Sequence, residues 1–174
     1  CPGGSHVRVY AKKRSRVDVI VEADGARSEG RAGRVVALDK EDDDDGFFSG
    51  VVDGLGVGGA YRLRLDGDVV VPDPASRYQP QGPHGASVVV DPRGYRWRDL
   101  HWRGVQLPGQ VFYELHIGAF TPEGTWEAAA RVLPELASIG VTVVEVMPVA
   151  EFAGEFGWGY DGVQLFAPSH LYGT

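Results

Sequence analysis

With 174 residues the chain has room for one medium domain, or for a small domain and part of a second. A formal charge of -7 argues against nucleic acid and anionic membrane surfaces as partners. The single Cys, at position 1, excludes an intrachain disulfide framework, and no apolar run reaches membrane-spanning length.

The N-terminal half alternates. Val7, Val9 and Ala11 interleave with His6, Arg8 and Tyr10, and the pattern resumes at Val17, Val19 and Val21 after the basic turn Lys12 to Arg16. Asp24-Gly25 is a turn signal, and Val35 to Leu38 is a further strand. Asp42-Asp43-Asp44-Asp45 is expected to be a solvated hairpin loop and not a calcium site, because consecutive carboxylates splay and do not converge on one ion. Phe47 to Val52 and Tyr61 to Leu65 are strands on either side of the glycine-rich turn Gly54 to Gly59, with Tyr61, Leu63 and Leu65 facing the core. No helix follows that turn, so it is not a dinucleotide fingerprint. Asp66-Gly67 is the best hairpin turn in the chain, and Val69 to Val71 returns from it. Short strands at this spacing predict an all-β sandwich. Pro72 to Pro83 reads as a proline-rich strap laid against a surface, and Ser87 to Val90 as one more strand. Trp97 and Trp102 are expected to fill a seam between two domains.

The period then changes. Gln110 to Ile117 has strand composition, broken by Gly118 and Thr121-Pro122-Glu123-Gly124. From Thr125 to Ser138, Trp126, Ala129, Ala130, Leu133, Leu136 and Ala137 fall on one helical face, with Pro134 as a bend and Glu127 to Arg131 as an i,i+4 pair. Gly140 stops the helix, and Val141 to Met147 is a strand closed by Pro148. Strand, crossover helix and strand make a βα unit of a parallel sheet.

Several short stretches in this half carry a resemblance. They are Glu114-Leu115-His116, Phe120 to Thr125, Gly140-Val141-Thr142, Glu145 to Phe152, Trp158-Gly159-Tyr160-Asp161-Gly162 and Tyr172-Gly173, joined upstream by Pro72 to Arg77, Gln79-Pro80 and Gly85. Together they resemble the alpha-amylase clan of glycoside hydrolases, and within it most closely the maltooligosyltrehalose trehalohydrolase family. The resemblance implies an immunoglobulin-like β-sandwich over residues 1–91, related to starch-binding modules. A linker over 92–107 and the first βα units of a (β/α)8 barrel over 108–174 would follow. It implies cleavage of the α-1,4 bond joining a maltooligosaccharide to terminal trehalose. Other members of the clan, a glycogen-branching or debranching enzyme, are the nearest alternative, and a non-catalytic glucan-binding module is the alternative from a different class.

Loops at the C-terminal ends of barrel strands build the site, which singles out 149–172. By resemblance Tyr160 is the platform for the sugar ring before the scissile bond, with Trp158 and Asp161 as further substrate-binding candidates and Tyr172-Gly173-Thr174 as a downstream anchor. Phe152 and Phe156 in the same loop could also stack on pyranose rings, and Glu151 and Glu155 could bind hydroxyls, an expectation that requires these side chains to be exposed. Glu114, His116 and Glu145 are expected in a buried polar network near a pocket floor, and His170 as a packing residue. No residue of this chain is assigned as catalytic. Glu114 and Glu145 tempt as the carboxylate pair of glycoside hydrolysis, but in the resembled family the nucleophile, the acid and the stabilising Asp come from later strands. No metal and no cofactor are expected. Maltooligosyl trehalose or another α-glucan is the expected ligand, without nucleic acid or membrane, and the rest of a barrel or another copy is expected against the open strand edges. The first residues lack the charged-then-apolar order of a signal peptide, so a cytoplasmic location is expected.

Overall fold

The computed structural model describes residues 3–23, 33–42 and 45–173. The expected turn at Asp24-Gly25 and the centre of the acidic run, Asp43 and Asp44, lie outside them. The chain is mostly β-sheet with few helices. β1 (Gly4–Tyr10), β4 (Asp39–Lys40) and β5 (Phe47–Asp53) form one antiparallel sheet in the order β1-β5-β4. β2 (Val17–Val21), β3 (Arg34–Ala37), β6 (Ala60–Leu65), β7 (Val69–Val71) and β8 (Ser87–Val88) form a second, in the order β3-β2-β6-β7 with β8 also on β6. Alternate residues of both sheets meet in one apolar cluster: Val7 and Val9, Phe48 and Val52, Val17 and Val19, Tyr61 and Leu63. Each such side chain contributes about 2 kcal/mol by leaving water. Leu55, inside the glycine-rich turn, is fully buried in the same cluster.

The Asp66-Gly67 turn has φ of 51° and 96°, the left-handed pair that matches strand twist in a tight hairpin. Asp66 also reaches a neighbouring turn. Its carboxylate accepts the Ser15 amide (2.8 Å), the Ser15 hydroxyl (2.9 Å) and the Arg16 amide (3.0 Å). Those bonds, led by the Ser15 hydroxyl, hold its pKa down at about 2. Glu41, bound by both Nε and Nη2 of Arg8 at 2.7 Å, is held at about 2 chiefly by that pairing. A depressed folded-state pKa gives stability that is present above the ordinary carboxylate value of about 4 and is lost as pH falls through about 2. The melting temperature should therefore hold between neutral pH and about pH 5 and fall below about pH 4, and Asp66→Asn should shrink that fall. An unchanged acid limb in the Asn variant would remove Asp66 from the account.

The proline-rich strap is tied down by polar bonds more than by apolar burial. Tyr61 donates to Asp73 Oδ2 at 2.6 Å, and the Ser87 hydroxyl accepts the Asp73 amide at 3.0 Å. Burial, then the Asp73 charge, pushes the Tyr61 hydroxyl well above its usual pKa. The fully buried Gln79 donates to the carbonyls of Gly82 and Gly85.

Beyond a 3-10 turn at Pro92–Gly94, Trp97 is 69% exposed, with its ring edge-on to Tyr95, and Trp102 is 69% exposed as well. Within the described residues neither ring fills a seam of the expected kind. β9 (Phe112–Leu115) is shorter than predicted, because the chain turns at His116 into a one-turn helix, α1 (Ile117–Phe120). α2 (Trp126–Ser138) starts at Thr125, whose hydroxyl accepts the Ala128 amide at 3.3 Å, and it runs through Pro134. Past it, Gly140 takes φ of 98°, and its amide bonds back to Ala137. Glu127 pairs with Arg131 at 3.6 Å, and Glu123 pairs with it at 2.9 Å. β10 (Val143–Val146) lies parallel to β9, with Glu145 opposite Glu114. Leu115, Ile117, Ala129 and Leu136 join Phe152 and Tyr172 in a second cluster. Two strands cover only one side of the helix, so Ala130, Leu133 and Ala137 stay exposed. β11 (Ala150–Glu151) pairs antiparallel with β12 (Gln164–Pro168), and a 3-10 turn at His170–Tyr172 follows. Among the described residues no helix is long and apolar enough to cross a membrane.

Candidate functional site

The segment between β11 and β12 is a loop closed at its base. Val163 donates its amide to the Glu151 carbonyl at 2.8 Å, and Glu151 and Gln164 pair as buried neighbours. Its outer part carries three large aromatic rings that bury almost nothing. Phe156 is 90% exposed, Trp158 82% and Tyr160 70%, and Asp161 is exposed beside them.

Glycine geometry explains why the rings point outward. Gly159 has φ of 91° and sits against the end of β10, so that a Cβ there would collide with the Pro148 carbonyl oxygen. With that residue pressed inward and buried, Trp158 and Tyr160 on either side of it are turned away from the body. Gly162 packs as closely, with the Ala150 side chain 2.5 Å from where its Cβ would be. Gly157 faces the ring of the buried Phe152 and a carboxylate oxygen of Asp161, 2.9 and 3.1 Å from where its Cβ would be. Gly159 is needed for close approach of backbone to backbone, whereas Gly157 and Gly162 leave room for the side chains of Phe152, Asp161 and Ala150.

Among the described residues a set of polar contacts ties the loop and its base to the body, and sequence reasoning missed it as a set. The His116 ring reaches across from the end of β9, its Nε2 2.9 Å from the Gly157 carbonyl. Glu151, fully buried, accepts both the backbone amide (2.8 Å) and ring Nδ1 (2.9 Å) of His170 on one oxygen, and the Phe152 amide (3.2 Å) on the other. Tyr172, buried in the second cluster, brings its hydroxyl within 3.3 Å of His116 Nε2, and burial raises its pKa. His170 also meets the strap: a Cβ at Gly82 would lie 3.7 Å from its Cε1. It is thus a bonded partner and not only a packing residue. The partners are 19 and 41 residues apart in the chain, and no local pattern announces them.

The expected buried network at Glu114 and Glu145 is not formed, since both residues are exposed on the open face of the β9–β10 pair. His116 alone of the three is drawn in, because the chain leaves the strand there and enters α1. Thr174 of the predicted anchor lies outside the described residues. Among the described residues no group of three or more His, Cys, Asp or Glu could hold a metal ion.

No family model matches the chain. Curated relatives do. Over 133 residues it is 47% identical to malto-oligosyltrehalose trehalohydrolase of Saccharolobus solfataricus, covering 76% of this chain and 24% of that one. Over 119 residues it is 50% identical to the enzyme of the same name from Deinococcus radiodurans, covering 68% and 20%. The chain is kin to the malto-oligosyltrehalose trehalohydrolases. It spans about a quarter of the length of these relatives or less. A 1,4-alpha-glucan branching enzyme of Vibrio parahaemolyticus is more distant, at 34% over 147 residues, covering 75% and 20%. Among solved structures, a provisionally assigned alpha amylase from Salmonella typhimurium superposes with a TM-score of 0.86 at 43% identity, over 99% of this chain and 29% of that one. A pullulanase from Bacillus acidopullulyticus shares the fold with a TM-score of 0.79 at 20% identity, over 99% and 25%.

Proposed function

We propose that this chain is the leading part of a glycoside hydrolase that releases trehalose by cutting the α-1,4 bond between a maltooligosaccharide and terminal trehalose. Residues 1–91 are read as an immunoglobulin-like sandwich, 92–107 as a linker and 108–174 as the opening βα units of a (β/α)8 barrel. The observation that carries the reading is the loop beyond β10, which projects Trp158 and Tyr160 outward around the inward-pressed Gly159. Flat rings held clear of the body suit stacking on pyranose faces, and Asp161 beside them can accept from a sugar hydroxyl. The 47–50% identity to the trehalohydrolases supports the specific substrate.

The residues here bind and orient; bond cleavage is assigned elsewhere. Glycoside hydrolysis needs a carboxyl group on each side of the bond, about 5 Å apart in retaining enzymes. Glu114 and Glu145 sit directly opposite one another on neighbouring strands, on one face, so they cannot flank a sugar from two sides. The nucleophile and acid are assigned to later barrel strands.

An enzyme that carries this chain at the length of its relatives should release trehalose from maltooligosyl trehalose. Tyr160→Ala should lower kcat/KM about a hundredfold, since the platform positions the ring next to the scissile bond. A protein that instead adds branch points to a linear α-glucan and frees no trehalose would belong with the branching enzymes.

A further inference from the structure

Resting on the reading of 151–163 as a glucan-facing loop, we propose that His116 is a positioning residue that fixes the height and tilt of the Trp158–Tyr160 turn. Three rings left mostly in water give the loop no apolar grip of their own. Its base is closed by the Glu151–Val163 bond and its middle rests on Pro148 through Gly159. Among the described residues, the only side chain from outside 151–163 that bonds the stretch between these points is His116, 2.9 Å from the carbonyl of Gly157, the residue just before Trp158.

The chemistry of that contact is one-directional. A carbonyl oxygen only accepts, so Nε2 carries the hydrogen and donates it. With the hydrogen on Nε2, the Tyr172 hydroxyl oxygen 3.3 Å away can only accept a share of the same N–H. Nδ1 is buried and has no hydrogen-bond partner, so nothing on that side of the ring competes for its orientation. The ring itself is wedged. Tyr172 stands edge-on at 5.8 Å between centroids, and a Cβ at Gly118 would be 2.8 Å from Tyr172 and 3.1 Å from the His116 ring. The imidazole is therefore a rigid strut from the end of β9 to the loop, with Gly118 leaving the room for it.

The test compares the intact chain with His116→Ala, His116→Gln and Tyr160→Ala. Maltoheptaose affinity is read by calorimetry and loop order by amide exchange over 153–163. A glutamine amide can place an N–H near the Nε2 position, which alanine cannot. Loss of one bond of this kind should weaken binding about fivefold to tenfold and speed exchange at Gly157 to Tyr160 by a similar factor in His116→Ala. His116→Gln should recover most of both, and it carries the test if the Ala variant does not fold. If Tyr160→Ala loses affinity while both His116 variants bind and exchange like the parent chain, the positioning role is wrong. The same holds if Gln is as impaired as Ala, which would mark a packing effect. If the parent chain and Tyr160→Ala bind equally poorly, the glucan reading fails. The exchange comparison then decides the strut by itself.

Discussion

Gly159→Ala should abolish glucan binding by the aromatic loop while leaving the rest of the chain folded. Two penalties act together there. The left-handed φ of 91° costs an L-residue about 1–2 kcal/mol, and the new methyl would collide with the Pro148 carbonyl, which belongs to backbone and cannot swing aside. The sum is about 3 kcal/mol or more. Against this, the contact of His116 with Gly157 contributes about 1 kcal/mol, and the exposed rings contribute little burial. The loop is the weaker party, so it gives way and β10 does not. Amide exchange over 157–162 should rise sharply, with a small change in the melting temperature. Gly154→Ala is the control. Its φ is 96°, but nothing lies within 4 Å of the added Cβ, so it should cost about 1 kcal/mol and keep binding. Equal effects of the two substitutions would show that backbone conformation, and not the seat on Pro148, decides the loop's shape.

That seat marks where sequence reading stops. The alternation at Val7, Val9, Val17 and Val19, the presence of α2 and the Asp66-Gly67 hairpin were legible because each depends on neighbours in the chain. The buried face of α2 was legible only in part, with Ala129 and Leu136 buried and Ala130, Leu133 and Ala137 exposed. The aromatic loop was legible by resemblance alone, through Trp158-Gly159-Tyr160. What the sequence does not display is which atoms hold it. His116 and Gly157 are brought together by the crossover between β9 and β10, and Glu151 and His170 by the pairing of β11 with β12. Glu114 and His116 look equivalent in a strand that is taken to run to Ile117. They part because the backbone enters α1 after His116, which turns one side chain inward and leaves the other in water. Trp97 and Trp102 misled for a related reason: an aromatic pair signals an apolar contact without saying which element supplies it.

Asp18→Ala should destabilise the N-terminal sheets by about 2 kcal/mol, although Asp18 lies outside the apolar core. Strand alternation assigns Asp18 to the solvent side of β2, between the inward Val17 and Val19, yet it is as fully buried as they are. Two guanidinium groups cover it. Arg16 Nε donates to Oδ1 at 2.9 Å, while Arg64 donates to Oδ2 through Nε at 3.1 Å and Nη2 at 2.8 Å. Arg64 is its register partner on β6, so the bond spans the centre of the second sheet. Burial pushes the carboxyl pKa up, but the bonds from Arg64 and Arg16 outweigh it and leave the pKa below its usual value. The contribution is therefore present at neutral pH and is lost as pH falls below about 4. The arginine side chains are 60% and 28% exposed, which keeps the cost of removing Asp18 below the 3–5 kcal/mol typical of a stranded buried charge, because they can return to water. The converse change has no such relief. Arg64→Met leaves the buried carboxylate with Arg16 alone and should cost more at neutral pH, about 3 kcal/mol, with the loss shrinking as pH falls toward about 4 because protonation of Asp18 relieves the unpaired charge. The double variant should be close to Asp18→Ala alone, since the charge that made Arg64 necessary is gone. Urea unfolding of the three variants decides the matter, and additive single losses would show that Arg64 acts through its packing on the sheet and not through Asp18.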